Sequence, residues 1–432
     1  MKKYSLVLWI LLLIQACQNN EIKEPKSDQF NTMLDSITIL SDTQKNSEAP
    51  FLFNNGQQII LNWTERDAHN KKKNKLKFSF FKPQDLTFDS IITVPVAQGL
   101  QMHAESMAKI GVKKDGTLLA VYRKKSKNDR SRFGGLMYYT ISTDKGKTWS
   151  NAHRLVTDTT ATSQSFYDIA LLPNHNLGLT WLDSRSKRRG KTLYFGQTDT
   201  TNLFTIHKPI AFSTCECCRT ELYVDDNGTI HAAYRNLIEP DEEGFDGYGT
   251  TEIRDMYYVQ SVDTAQTFTK PVPISKDNWH IFGCPHTGPS LAYNGQKLGA
   301  IWFTGAHNQS GLYFTTKTDS LAFKPRKPIS SEGYHPQMIA LGGKFYAVYE
   351  EYYEQNGKGY YRIILDIINA DGNHKIYEIS NPLTHNNHPV ITPIDADKIL
   401  VVWVNTDTRH PKIVYQSIDI HQLKNKKQIV EE

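Results

Sequence analysis

The sequence predicts an all-β fold, a seven-bladed β-propeller, and three observations carry that prediction. An apolar stretch ending in Trp or Tyr and followed by polar residues recurs as "IILNWTER", "LLAVYRKK", "LGLTWLDSR", "IHAAYRN", "LGAIWFTG", "FYAVYEE" and "ILVVWVN". Its anchors, Trp63, Tyr122, Trp181, Tyr234, Trp302, Tyr349 and Trp403, are spaced 59, 59, 53, 68, 47 and 54 residues apart, the length of four short strands. Each anchor strand follows a turn such as "KKDGT" or "DDNGT" and precedes another alternating run such as "LMYYTIS" or "TLYFGQT". Gly, Asn and Asp between period-two segments make hairpins. No long helical period competes before the tail.

The elements then follow in order. The last unit, from about 388 to 418, lacks an outer strand, and "SITIL" at 36–40 precedes the first unit. An N-terminal strand completing the final blade would close the ring and remove its exposed edge. The propeller is therefore placed at 36–420 as one domain, followed by a polar tail at 421–432.

Ahead of it, "MKKYSLVLWILLLIQAC" has two lysines, an apolar run and a small residue before Cys17. The run is too short to span a bilayer and reads as a secretory signal. Ile14-Gln15-Ala16-Cys17 resembles a bacterial lipobox. This makes 1–16 the signal peptide, Cys17 the lipidated residue and 17–35 a polar tether. The expected location is the bacterial cell envelope, anchored by lipid to a membrane, with the outer membrane favoured. Export makes disulfides permissible for the remaining four cysteines.

The formal charge is +5, and removal of Lys2 and Lys3 leaves +3. "NKKKNK" and "SKRRGK" are basic runs with no nucleic-acid motif beside them, so they read as solvated faces. A monomer without nucleic acid is expected.

Reading back 13–19 residues from each anchor reaches the innermost strand, which lines the central channel. That places Pro50, His103, Tyr167 with Asp168, Cys218, His286, His335 and His388 at the channel mouth. "YHPQ", "NHPV" and "CPHTGP" look like variants of one local structure, in which proline opens a strand without losing a ladder donor. The cysteines Cys215, Cys217, Cys218 and Cys284 then have two readings. One is a disulfide from Cys217 or Cys218 to Cys284 across neighbouring blades. The other is a copper or zinc site formed with His103, His286, His335 and His388, since thiolate and imidazole suit those metals.

"STDKGKTWS" resembles the Asp-box, S-x-D-x-G-x-T-W, of the bacterial neuraminidase repeat found in sialidase-like propellers; Ser142, Asp144, Gly146, Thr148 and Trp149 are its residues. "SVDTAQTF" at 261–268 is a degenerate copy. "HAES" (103–106), "WLDSR" (181–185), "CECCRT" (215–220), "RDM" (254–256) and "GCPHTGP" (283–289) resemble, in order, motifs of a bacterial sialidase-like lipoprotein set. The resemblance implies a sialidase-like propeller and an exo-glycoside hydrolase acting on carbohydrate at the mouth. Sialidases grip a carboxylate with three arginines and use a Tyr–Glu pair and an Asp acid. The candidates here are Glu105, Tyr167, Asp168, Asp183, Arg185, Arg219, Arg254 and Asp255, with Tyr334 a second tyrosine placed at the mouth. The chain departs from the family in two ways. "APFLF" stands where the first sialidase arginine motif belongs, and the repeat count is seven against the six of typical sialidases. Three functions stay open: a glycoside hydrolase, a Cys/His metal-binding propeller, and a glycan- or protein-binding module.

Overall fold

The computed structural model describes residues 37–425 apart from 68–69, 71–72, 126–133, 187, 239–251, 282 and 319. The segments expected to be a signal peptide (1–16) and a lipidated tether (17–35) lie outside the described residues. Among the described residues, seven antiparallel sheets of four or five strands follow one another along the chain, with a separate two-stranded pair, Glu252–Ile253 and His280–Ile281, and the seven-bladed propeller is what the structure shows. From the axis outward, blade 2 is Lys109–Val112, Leu118–Lys124, Leu136–Ser142 and His153–Arg154. Blade 4 is Glu221–Val224, Ile230–Arg235, Met256–Ser261 and Val272–Pro273. Blade 6 is Gly333–Leu341, Lys344–Gln355, Lys358–Ile368 and His374–Glu378. Blades 1, 3, 5 and 7 open on Asn46–Asn54, Gln164–Leu171, Ser290–Tyr293 and Asn386–Pro393.

The ring closes as expected. Thr38–Ile39 pairs antiparallel with Lys412–Asp419, placing Thr38 opposite Tyr415 and Ile39 opposite Val414. The seven anchors are 0–1% exposed and sit in the second strand of each blade, between neighbouring sheets. Three of the indoles are also tied by hydrogen bonds: Trp181 to Asp183 (3.0 Å), Trp302 to Asp277 (2.8 Å) and Trp403 to Asn386 (3.0 Å). A buried indole N–H usually finds such a partner, although that of Trp63 does not. The tail differs slightly from expectation: Leu423, in the short 3₁₀ turn Gln422–Asn425, is buried against the last two blades.

The two sequences that resemble the Asp-box make the same turn between third and fourth strands. Ser142 Oγ donates to Asp144 (2.8 Å), and Asp144 accepts from the Thr148 amide (2.9 Å) and hydroxyl (2.6 Å). Ser261, Asp263 and Thr267 repeat the pattern at 2.7, 2.9 and 2.6 Å. These hydrogen bonds hold Asp144 and Asp263 at about 2, with the Thr148 and Thr267 hydroxyls the largest cause in each. The turns lie at the end of the propeller opposite the histidine mouth, because loops alternate ends along an antiparallel blade.

Candidate functional site

Five inner strands open with the same backbone feature. Ala49, Phe166, His286, His335 and His388 have φ of 59°, 48°, 54°, 49° and 51°. Four of these residues fall at β-bulges, between Glu48 and Phe51, Ser165 and Asp168, Tyr334 and Gln337, and Asn387 and Val390. A left-handed conformation in a residue with a side chain stores on the order of 1–3 kcal/mol and persists where the surroundings over-determine it. Here it aims one side chain per blade at the channel axis.

Rings from non-adjacent blades therefore meet. His103 of blade 2 lies 4.8 Å, centroid to centroid, from His286 of blade 5 and 5.5 Å from Phe166 of blade 3. His335 and His388 stack at 4.4 Å, and Tyr334 stands edge-on to His335 at 4.5 Å. All four predicted histidines are brought together. Glu105, on the 3₁₀ turn Ala104–Ser106, joins His335 and His388: one ligand atom from each lies within 4.8 Å of the others.

Arg219 holds this mouth from beneath. It is 2% exposed and donates to Glu105 Oε2 (3.0 Å), Glu221 Oε2 (3.3 Å), the Gly288 carbonyl (3.4 Å) and the Pro336 carbonyl (3.0 Å). One guanidinium thus links blades 2, 4, 5 and 6. Gly288 is required by this approach: a Cβ there would fall 2.4 Å from the Arg219 carbonyl oxygen. Below Arg219, a channel of about 780 Å³ runs on past Lys109, Asp168 and Glu221.

The histidines are set differently by their surroundings. Burial, helped by His286, lowers His103 to about 4, and its Nδ1 accepts from the Glu105 amide (3.2 Å). Burial also lowers His286, whose Nδ1 is buried with no hydrogen-bond partner. His335 is buried too, but Glu350 and Glu105 outweigh that effect and raise it, and its Nδ1 meets Glu350 Oε1 at 2.9 Å. Burial lowers His388 against the pull of Glu350, which accepts from the His388 amide at 2.6 Å.

The remaining predicted residues hold the scaffold. Tyr167 is a correction: it is 1% exposed, donates to the Val121 carbonyl (3.3 Å) and packs in the core between blades. The bulge turns Phe166, not Tyr167, toward the axis. Asp168 pairs with Lys109 at 2.5 Å and caps the Leu222 amide at 2.8 Å. Asp183 accepts from Trp181, Gln164 and the Arg185 amide, while Arg185 lies 4.1 Å over the Tyr194 ring. Asp255 accepts from the Asn278 and Trp279 amides at 3.0 and 3.1 Å, and burial raises it. Arg254 binds Glu252 (2.7 Å), the Gly283 carbonyl (2.7 Å) and the Cys215 sulfur (3.5 Å). Of the three predicted arginines, Arg219 reaches the mouth from within, while Arg185 and Arg254 are engaged by Asp183 and Glu252.

The cysteines also differ from expectation. All four are free. Cys215, Cys217 and Cys218 are buried together, with Sγ separations from Cys215 of 3.8 Å to Cys217 and 2.7 Å to Cys218, whereas Cys284 is exposed. The Arg254 guanidinium fills the gap between the sulfurs and Gly283, which keeps Cys284 out of the cluster. Burial opposes ionisation of Cys215, but hydrogen bonds from Cys217 and Cys218 and the nearby Arg254 charge prevail and lower it. The donors thus separate into a sulfur set and an imidazole–carboxylate set.

Sequence reasoning did not single out Glu350 as a site residue. It directly follows the Tyr349 anchor, in the register position that Arg123 and Arg235 occupy in other blades. It missed a cavity of about 490 Å³ beside the mouth, walled by Phe303, Tyr334, Tyr352 and Tyr361 with His335 and Glu350 at its base. Its outer wall is the blade 6 hairpin, paired out to Gln355 and Lys358, a projection marked in the sequence by the adjacent pairs Tyr352–Tyr353 and Tyr360–Tyr361 on either side of "QNGK".

No protein family matches the chain by sequence, and no curated protein does. Solved structures share its fold. The polysaccharide lyase Uly1 is 10% identical with TM-score 0.55, over 87% of this chain and 90% of its own. A polysaccharide lyase family 25 ulvan lyase bound to -[GlcA(1-4)Rha3S]- is 10% identical with TM-score 0.54, over 88% and 97%. NanB, at 12% identity and TM-score 0.49 over 90% and 71%, is more distant. At such identities the first two show the propeller fold alone.

One prediction follows from the channel wall. Burial, then the Asp168 charge, push Glu221 up to about 7 against the pull of Arg219 and Lys109. The folded chain then holds a proton that the unfolded chain releases between about pH 4.5 and 7, so stability is present below that window and declines through it. Melting temperature should fall from about pH 5 to about pH 8, and Glu221→Gln should flatten that decline. An unchanged slope in the variant would contradict the assignment.

Proposed function

We propose that this chain is a carbohydrate-cleaving enzyme of the bacterial envelope, held there by lipid on Cys17, working where the histidine mouth meets the aromatic cavity. The observation that carries the reading is the cavity itself. Exposed Tyr352 (38%) and Tyr361 (42%) stand over a base of His335 and Glu350. Apolar ring faces with a few convergent polar groups suit a sugar, which presents C–H faces and hydroxyl edges. The fold shared with two polysaccharide lyases supports the same substrate class.

The chemistry available is proton transfer by imidazole. Hydrolysis by paired carboxylates needs one of them protonated near neutrality. Glu105 and Glu350 both lie below the ordinary glutamate value: burial would raise each, and it is outweighed by Arg219 for Glu105 and by His335 for Glu350. Neither is a ready acid. Burial shifts His286 toward its neutral form and no group engages its Nδ1, which makes it the base assigned here, and the Tyr334 ring lies at the same mouth. That favours eliminative cleavage of an acidic polysaccharide, in which a base removes the proton beside the uronate carboxyl and the glycosidic oxygen leaves. Exo-glycoside hydrolysis, the sialidase-like reading of the motifs, is the second reading.

Two measurements test this. Acidic and neutral polysaccharides incubated with the chain should release products carrying the ultraviolet absorbance of an unsaturated uronate, and His286→Ala should slow that release about 10²-fold or more with circular dichroism unchanged. Reducing ends without that absorbance would select hydrolysis. No cleavage, or full activity in His286→Ala, would defeat the base assignment. For the anchor, Cys17→Ser should move the chain from the membrane to the soluble fraction; continued membrane association would refute lipidation there.

A further inference from the structure

We propose that Glu105, His335 and His388 bind a zinc ion at the channel axis, with an open coordination position facing the aromatic cavity. Three observations meet at this point.

The donors are already gathered and fixed from behind. One ligand atom from each lies within 4.8 Å of the others, whereas tetrahedral ligands about 2.1 Å from zinc stand about 3.4 Å apart. Small side-chain rotations close that difference. His335 Nδ1 is engaged by Glu350 Oε1 at 2.9 Å and His388 Nδ1 by Asn387 Oδ1 at 3.2 Å. In each ring this leaves Nε2 as the free nitrogen. Glu105 Oε2 is held by Arg219, leaving Oε1. Histidines backed by a carboxylate or amide through the other ring nitrogen are the usual support of zinc ligands.

The free atoms have no other occupation. Among the described residues, no hydrogen bond engages Glu105 Oε1 or Nε2 of His335 or His388. The three residues come from blades 2, 6 and 7 and converge through separate supports. A structural ion-pair network would be expected to turn these atoms on one another.

The donor set also selects the ion. Two imidazoles and one carboxylate, with a fourth position open, is a zinc arrangement used in catalysis, while calcium and magnesium prefer all-oxygen sites. The softer set of Cys215, Cys217 and Cys218 is a distinct cluster with its own partner, Arg254. Zinc at the axis would present a Lewis acid to a sugar carboxylate or hydroxyl entering past Tyr352 and Tyr361. The ion itself stands or falls independently of the carbohydrate reading, because its test reads metal and not turnover.

The test uses the full chain, stripped with chelator and titrated with zinc, then with cobalt as a spectroscopic substitute. One zinc per chain is expected. The cobalt form should show d–d bands without a thiolate charge-transfer band. Glu350→Gln should weaken zinc about 10- to 100-fold by replacing the charged acceptor behind His335 with a neutral one, and His335→Gln with His388→Gln should abolish stoichiometric binding. Cys215→Ser with Cys218→Ser should leave it intact. A thiolate band, zinc lost with the cysteines but kept without the histidines, copper in place of zinc in the chain as purified, or no zinc uptake by the stripped chain would each overturn the proposal. The cobalt spectrum needs no variant, so a misfolded substitution does not leave the question open.

Discussion

The mouth of this propeller depends on one buried cation. Seven inner strands converge at this mouth. Arg219 fills it, 2% exposed, with hydrogen bonds to Glu105, Glu221 and two carbonyls from four blades. Taking a guanidinium from water is expensive unless every donor finds an acceptor and the charge is matched. That condition fixes the angle of Glu105 above it and the separation of blades 5 and 6 on either side. The histidines stand on this platform.

Above Arg219 the backbone does the aiming. A left-handed residue at the opening of five inner strands sends Ala49, Phe166, His286, His335 and His388 inward. Two of these are apolar and three are imidazole, which makes the mouth asymmetric. Blades 2 and 5 contribute the neutral pair His103 and His286, and blades 6 and 7 contribute the stacked pair His335 and His388 beside Glu350. The aromatic cavity opens on the second pair.

Much of this was legible in the sequence because propellers repeat. The anchor spacing marks the blades, and reading back from each anchor reaches the mouth, so His103, His286, His335 and His388 were found by position alone. The closing strand was legible as a missing partner in the last unit. The failures share a cause: they depend on which way one residue turns. Tyr167 and Phe166 exchange faces at a bulge, and a one-residue slip reverses every side chain in a strand. Cys284 was expected beside Cys218, yet the Arg254 side chain occupies that space, a long-range contact that no local pattern carries. The arginines of "WLDSR" and "RDM" likewise took partners within reach, Asp183 and Glu252, rather than a common anion.

The central claim is that the Arg219 guanidinium supports the mouth as a structural element. Equilibrium unfolding of Arg219→Met in denaturant tests it most directly. Removing one partner from a buried charge network typically loses about 3–5 kcal/mol, and a loss of that size is predicted, because Glu105 and Glu221 would be left buried without their cation. A variant within about 0.5 kcal/mol of the parent, the range of ordinary surface substitutions, would contradict the account and leave the mouth to be explained by the blades alone.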